Sequence, residues 1–199
     1  MTIEEIRVIL KNKTIGIAGA GGLGSNCAIS LARSGIGKLI IVDFDDIEFR
    51  NIDRQYYYFR QLGKKKVLAL KDNLKEISPD VEVIPLAVKI QRHHIVPIFK
   101  NCDILIEAFD VPETKEMFIQ EATKELPNIP VIAARGIAGW GNNQSLTTYK
   151  EGNLYICGDL REDDFRLTPA CAPRVALVAN MQANLALELL LGIPEIAEE

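Results

Sequence analysis

Histidine and paired cysteines are scarce in this sequence, and their scarcity excludes several kinds of site. Of the 199 residues, two are histidines, the adjacent His93 and His94, and four are cysteines. Adjacent histidines point in different directions on a helix, so they do not form a shared metal site, and no Ser–His–Asp set is evident. No two cysteines have C-x-x-C spacing, so we expect no zinc.

The sequence also lacks an excess of positive charge and a leader-like beginning. Its formal net charge at pH 7 is −4, which argues against a charge-driven grip on nucleic acid, so we predict no nucleic-acid partner. The first ten residues are acidic and amphipathic rather than basic and then apolar, unlike a secretory signal peptide. We therefore expect a cytoplasmic protein with free thiols.

One apolar stretch, residues 172–192, is long enough to be mistaken for a membrane span. Its polar residues Asn180, Asn184 and Glu188 recur every four residues and therefore share one face of a helix. This spacing predicts a core helix of a globular protein, so we expect no membrane association.

The rest of the chain alternates apolar strand-like segments with helical ones. This pattern predicts an α/β, Rossmann-like, mostly parallel sheet with helices on both faces, in a single domain over residues 1–199. Residues 143–159 predict two short antiparallel strands, and the polar residues 160–169 predict a mobile loop. Strands are predicted at 14–19, 38–44, 81–88, 102–109 and 129–136, and helices at 3–11, 23–34, 63–78, 93–101 (broken at Pro97), 113–126 and 172–192.

Residues 19–24, GAGGLG, match the pattern G-x-G-x-x-G between the first strand and the first long helix. Glycine permits a tight turn and lets backbone approach phosphate, and the helix N-terminus supplies N–H donors. Asp43 lies 19 residues after Gly24, at the end of the next strand, where a carboxylate binds ribose hydroxyls. The combination predicts an adenine nucleotide, and taken alone it favours a dinucleotide such as NAD.

The segment from Asn51 to Lys66 is rich in cations, among them Arg54. A helix N-terminus is adequate for a diphosphate bridge, whereas a triphosphate needs fixed cations, so this segment favours ATP. Asp110 follows the fourth predicted strand. It is placed either to hold Mg²⁺ against a triphosphate or to cap the next helix.

The chain resembles the ubiquitin-activating-enzyme-like superfamily, and within it the ThiF/MoeB-like adenylyltransferases, most of all compact ThiF proteins. The segments that carry the resemblance are GAGGLGSNCAISLARSGIGKLIIVDFDDIEFRNIDRQ, GKKKV, ILIEAFD and APRVALVANMQANLALELLLG. The resemblance implies ATP- and Mg²⁺-dependent adenylation of the C-terminal glycine of a small ubiquitin-fold sulfur carrier (ThiS-like) in thiamine biosynthesis. It also implies a homodimer.

The resemblance implies roles for individual residues. The carrier's Gly-Gly tail would lie near residues 135–140, and Arg7 is the one arginine near the N-terminus placed to reach a partner subunit. Arg54, Lys66 and Asp110 would be catalytic, with Asp110 holding Mg²⁺. The ATP-binding residues would be Gly19, Gly21, Gly22, Gly24, Asp43, Asn51, Arg54 and Lys66.

Several alternatives remain open at this stage. Cys171, just before a predicted helix, is the best candidate for a sulfur-handling thiol, or is a small core residue; Cys157 is the second candidate. Residues 56–59, YYYF, pack in the core or line a partner groove. The alternative functions are an NAD-dependent oxidoreductase, a non-catalytic carrier-binding module and a dehydratase acting on a modified tRNA base.

Overall fold

A seven-stranded sheet organises the computed structural model, which describes residues 1–159 and 168–193. The strands are β1 (Thr14–Ala18), β2 (Lys38–Val42), β3 (Glu82–Leu86), β4 (Ile104–Glu107), β5 (Val131–Arg135), β6 (Leu146–Glu151) and β7 (Leu154–Asp159). Their order in the sheet is β3-β2-β1-β4-β5-β7-β6. Within the described residues every pairing is parallel except that of β6 with β7, which confirms the predicted sheet and its antiparallel extension.

Helices cover both faces of this sheet, as predicted. They are α1 (Ile3–Leu10), α2 (Gly22–Ser34), α3 (Lys66–Ile77), α4 (Arg92–Phe99), α5 (Pro112–Glu125) and α6 (Ala172–Leu191). Side chains of α2, α3 and α6 form one buried core with the sheet, and those of α4 and α5 form a second core on the opposite face. The carboxyl ends of β1, β2, β4 and β5 meet at one edge, where open sheets of this kind bind ligands.

Two predictions about the helices are wrong. Helix α3 begins at Lys66 instead of residue 63, because Gly63 adopts a left-handed φ of +79° and Lys65 pairs with Asp46 in an isolated β-bridge. Pro97 does not break α4. That helix begins only five residues earlier, so the proline removes a single N–H···O bond, the one to the His93 carbonyl.

The long apolar helix α6 has the length and composition to cross a membrane, with a mean hydropathy of 1.2, but its placement is that of a core helix. It packs against α2, β5 and β7, and the polar Arg174 and Gln182 lie on its buried face. Asn180, Asn184 and Glu188 form an exposed stripe on the other face, as predicted. One face of α6 is buried and the other is exposed, and this explains why polar residues recur every four positions.

Close contact between β1 and α2 depends on Gly24. A Cβ added there would lie 1.9 Å from the Gly19 carbonyl oxygen, so the strand end and the helix start touch through bare backbone. Gly21, three residues earlier, has no such neighbour: an added Cβ would meet only the Gln55 side chain, at 3.8 Å. The two glycines therefore serve different purposes within one turn.

Gly24→Ala is expected to destabilise the protein by about 3 kcal/mol or more, because overpacking against rigid backbone forces the strand and helix apart. Gly21→Ala is the matched control, and we expect its free energy of unfolding to stay within about 1 kcal/mol of wild type. Urea unfolding followed by circular dichroism measures both. Equal stability of the two variants would contradict the proposed backbone contact.

Candidate nucleotide-binding site

The glycine loop is fastened to the end of β2 by Asp43. This carboxylate accepts hydrogen bonds from the backbone N–H groups of Ala20, at 2.7 Å, and Asp45, at 2.8 Å. Gly19 donates its own N–H to the Val42 carbonyl at 2.8 Å. The loop and the predicted ribose-binding carboxylate are thus one hydrogen-bonded unit, and each carboxylate oxygen keeps a second lone pair for a ligand.

Asp43 lies in an environment that opposes its charge. It is 9% exposed, and burial raises its pKa above the usual value. The positive charge of Lys66 and the two backbone N–H groups lower the pKa in part. A buried, hydrogen-bonded carboxylate of this kind is oriented in advance for a hydroxyl donor.

Tyr57 also holds the glycine loop, and no pattern in the sequence pointed to this role. Its hydroxyl donates to the Ala20 carbonyl at 2.7 Å, and the ring is buried. Of residues 56–59, Tyr57 therefore belongs to the core, whereas Tyr58 and Phe59 are exposed. Ala20 consequently has both backbone groups fixed by side chains from outside the loop.

Lys66 is a buried cation at the start of α3. It is 5% exposed, and its Nζ lies 2.7 Å from Asp45 Oδ2. Its neighbours differ: Lys64 is exposed, and Lys65 pairs with Asp46 at 2.9 Å at the surface. Burying a lysine is costly unless it is paired, and the contact with Asp45 supplies that pairing. The role of Lys66 at a phosphate stays a prediction.

Arg54 lies over the start of α2. Its Cγ is 3.8 Å from the position that a Cβ on Gly22 would occupy, and its guanidinium pairs with Asp53 at 2.8 Å. Asn51 is buried, and its Oδ1 accepts from the Glu48 N–H at 2.8 Å. The structure thus brings Arg54 to the glycine loop.

Packing against α6 explains why residue 22 is a glycine, and the sequence alone did not show this contact. A Cβ there would lie 2.8 Å from Val175 Cγ1 on α6. The absence of a side chain at Gly22 therefore lets α6 approach the start of α2, whereas Gly21 is the glycine whose side-chain position is open. The approach of Gly22 backbone to phosphate remains a prediction.

Asp110 lies just beyond β4 and is exposed. The N-cap of α5 is Val111, and no side chain caps that helix. The alternative of a capping role for Asp110 is therefore wrong. Within residues 1–159 and 168–193 no group of three or more His, Cys, Asp or Glu side chains is placed to hold a metal ion.

Beneath the site, Glu107 at the end of β4 is a fully buried carboxylate. It pairs with Lys115 of α5, which also donates to the Ala134 carbonyl at 3.0 Å. Burial raises the pKa of Glu107, and the Lys115 ammonium opposes that rise. The pair joins the carboxyl ends of β4 and β5, and the sequence showed no pattern that singled it out.

The four thiols differ in accessibility. Cys171 is the N-cap residue of α6 and is partly exposed, as its position in the sequence predicted. Cys157 is buried in β7, within the predicted antiparallel pair, and burial raises its pKa to about 11. Burial also raises the pKa of Cys27, and that of Cys102 to about 12, as expected of structural cysteines.

Lys115→Met is expected to lower the free energy of unfolding by about 3–5 kcal/mol near pH 8, because it leaves Glu107 buried and unpaired. Glu107 then has a folded-state pKa above its unfolded value, so its penalty shrinks as the pH falls and Glu107 takes up a proton. Denaturant unfolding at about pH 6 and pH 8 measures the difference. Lys124→Met, which removes an exposed lysine, is the control, and a loss that is equal at both pH values would contradict this assignment.

Iodoacetamide is expected to alkylate Cys171 well before the other three thiols, because those are buried. Mass spectrometry of peptides after short exposure measures the order. Cys171→Ser should lose the fast label, and early labelling of Cys157 would show that β7 opens readily.

A model of the ThiF family matches residues 3–199 of this chain. The chain is 35% identical over 131 residues to the tRNA threonylcarbamoyladenosine dehydratase of Bacillus subtilis, covering 65% of this chain and 51% of that protein. It is 28% identical over 188 residues to the sulfur carrier protein ThiS adenylyltransferase of Escherichia coli, covering 92% and 74%. The adenylyltransferase and sulfurtransferase UBA4 of Yarrowia lipolytica is 27% identical over 190 residues, covering 92% and 47%.

Solved structures share the fold. The E. coli tRNA N6-threonylcarbamoyladenosine dehydratase TcdA, in complex with ATP, has a TM-score of 0.84 at 18% identity, covering 94% of this chain and 89% of that one. E. coli MccB with ATP has a TM-score of 0.73 at 24% identity, covering 93% and 57%. The chain spans about half the length of the B. subtilis dehydratase and of UBA4. With its glycine loop, its acidic strand ends and a match over nearly its whole length, the chain belongs to the ThiF family.

Proposed function

We propose that residues 1–199 form one adenylyltransferase domain that uses ATP to activate the C-terminal glycine of a small, ubiquitin-fold, ThiS-like sulfur carrier. The observation that supports this proposal is that two cationic residues lie near the glycine loop: the stem of Arg54, whose guanidinium is bonded to Asp53 and to the Arg50 carbonyl, and the buried Lys66. Arg54 lies against Gly22, and the buried Lys66 lies close enough to Asp43 to lower its pKa. A triphosphate carries more negative charge than a diphosphate bridge, and this charge would explain why both Arg54 and Lys66 lie near the loop.

The site suits ATP in shape as well as in charge. Gly21 leaves open space at the N-terminus of α2, where N–H groups and the helix dipole attract phosphate. Asp43 would accept the ribose hydroxyls, Arg54 and Lys66 would neutralise phosphate charge, and Asn51 would contribute amide contacts. TcdA and MccB, which share the fold, are solved with ATP.

Asp110 would hold Mg²⁺. Magnesium bound with a nucleotide commonly takes one or two carboxylates together with phosphate oxygens, so a single exposed carboxylate at the end of β4 suits it. The ion would supply charge neutralisation of the phosphates when bound.

The proposed reaction needs alignment more than proton transfer. The carrier's terminal carboxylate is ionised at neutral pH, so it needs no base to become a nucleophile. Its oxygen forms a bond to the α-phosphorus, the bond from that phosphorus to the bridging oxygen breaks, and pyrophosphate leaves with the electron pair. Arg54 and Lys66 stabilise the charge that develops on the phosphate oxygens.

Three finer elements of the proposal have separate support. Cys171 is the accessible thiol and would take part in sulfur transfer within thiamine biosynthesis. A homodimer would cover the exposed rings of Phe49 and Phe59, whose centroids lie 5.9 Å apart. A cytoplasmic location would supply ATP and keep the thiols reduced.

A second candidate function is dehydration of a modified tRNA base, and the 35% identity to the B. subtilis dehydratase favours it. The net charge of −4 argues against a charge-driven attraction to nucleic acid, but net charge does not describe the local surface of the site. The NAD-dependent oxidoreductase and the non-catalytic module have no comparable support, because the ThiF family match favours ATP chemistry.

The wild-type protein is expected to catalyse ATP–pyrophosphate exchange only when a ThiS-like carrier ending in Gly-Gly is present with Mg²⁺. Arg54→Ala should lower that exchange by about 100-fold, because it removes a cation that stabilises developing charge. Arg50→Ala is the matched control: Arg50 pairs with Glu48 at 2.7 Å at the surface, and we expect its exchange rate to stay close to wild type.

The acceptor decides between the two candidate functions. ATP turnover that depends on threonylcarbamoyladenosine-containing tRNA, and not on the carrier, would replace the carrier proposal with the dehydratase. Nucleotide binding without turnover by either acceptor would contradict both and favour a binding module.

A further inference from the structure

A glycine-rich loop, residues 136–142, follows β5 at the same edge of the sheet as the nucleotide site. Gly136, Gly139 and Gly141 have φ values of +67°, +81° and +67°, and Asn142 also adopts a left-handed φ, of +48°. At its tip is Trp140, the sole tryptophan of the chain, which is 73% exposed. Tryptophan is enriched at interfaces, because its ring is largely apolar and its N–H donates a hydrogen bond, so this exposed indole is a candidate contact for a substrate.

Gly139 in this loop donates its N–H to the Pro169 carbonyl at 2.9 Å, and the two ends of the loop are held by one buried guanidinium. Arg174, in the first turn of α6, is 4% exposed. Its Nε donates to the Gly136 carbonyl at 3.3 Å, and one of its terminal nitrogens donates to the Gly141 carbonyl at 2.9 Å. The two ends of the loop are therefore held by opposite sides of the same planar group.

Asp159 at the end of β7 completes the anchor. Its Oδ2 accepts from Arg174 at 3.1 Å and from the Ser145 hydroxyl at 2.6 Å. A Cβ on Gly136 would lie 2.0 Å from the Asp159 carbonyl oxygen, so the start of the loop is pressed against β7. The loop thus has a rigid base and an exposed aromatic tip.

The sheet order places this loop beside the site. Strand β5 neighbours β4, which Asp110 follows, and β4 neighbours β1, which leads into the glycine loop. Asp43 ends β2 on the far side of β1. A nucleotide bound between Asp43 and the glycine loop would occupy the sheet edge at β1 and β2. The edge at β4 and β5 would then be open to the second substrate.

We propose that Arg174 is a positioning residue that fixes the 136–142 loop, so that Trp140 packs against the acceptor substrate beside the α-phosphate. This inference rests on the proposed adenylyltransferase function. It adds that the affinity for the acceptor depends on a side chain that does not itself touch either substrate.

Lysine cannot replace Arg174 in this role. Its single ammonium group lacks the planar fork that reaches Gly136, Gly141 and Asp159 together. Arg174→Lys keeps the positive charge beside Asp159 while releasing at least one end of the loop. This separates loop positioning from simple charge balance.

The first experiment measures the motion of the loop without any substrate. Because Trp140 is the sole tryptophan, time-resolved fluorescence anisotropy reports on that loop alone. We expect a larger fast-depolarising component in Arg174→Lys and a still larger one in Arg174→Gln, with secondary structure retained by circular dichroism. Arg92→Gln, which breaks a surface pair with Glu121, is the matched control and should leave the anisotropy unchanged.

The second experiment measures exchange kinetics with a ThiS-like carrier. Arg174→Lys should raise KM for the carrier about tenfold and leave KM for ATP near wild type. Trp140→Ala should do the same without loss of stability, since its ring is exposed. This second variant keeps the test valid if changes at Arg174 impair folding.

The outcomes separate the inference from the function on which it rests. Wild-type anisotropy in Arg174→Lys, or a raised KM for ATP equal to that for the carrier, would overturn the positioning role. An unchanged carrier KM in Trp140→Ala would overturn the contact. Absence of carrier-dependent exchange in the wild-type protein would overturn the proposed function, whereas the anisotropy would still decide whether Arg174 fixes the loop.

Discussion

The hydrogen bond from the Ala20 backbone N–H to the Asp43 carboxylate is the contact on which the rest of this site depends. It joins the glycine loop to the end of β2, so the turn proposed to bind phosphate and the carboxylate proposed to bind ribose keep one relative position. Tyr57 fixes the other backbone group of Ala20 from a different segment. A loop held on both sides has little freedom left to lose when a nucleotide binds, which favours affinity.

The charged side chains around this loop are paired with side chains of opposite charge. Lys66 is paired with Asp45 and lies close to Asp43, while Glu107 and Lys115 form a second buried pair under the adjacent strands. Such pairs contribute little net stability, since desolvation offsets their attraction. Their value lies in holding charges at fixed points, which is what stabilising a charged transition state requires.

The sequence predicted the parts of the fold that follow from local pattern. Apolar runs gave the parallel strands, the polar spacing in α6 gave its exposed stripe, and GAGGLG with Asp43 gave the position of the loop. It failed where a tertiary contact decides. Tyr57 and Arg174 have no local signature, because their partners lie 37 and 38 residues away along the chain. Glu107 and Lys115 are only eight residues apart, but they lie on a strand and the following helix, so the packing of the two elements decides whether they meet. The packing of Gly22 against Val175 depends on a helix more than a hundred residues later.

The exposure of Trp140 determines how the tryptophan fluorescence of this protein responds to unfolding. An indole that is 73% exposed in the native state is already hydrated, so its emission wavelength should change little when the chain unfolds. The seven-stranded sheet would then melt without a spectral signal from its sole tryptophan. Backbone circular dichroism, which senses the strands and helices themselves, is the observable that follows global stability in this fold.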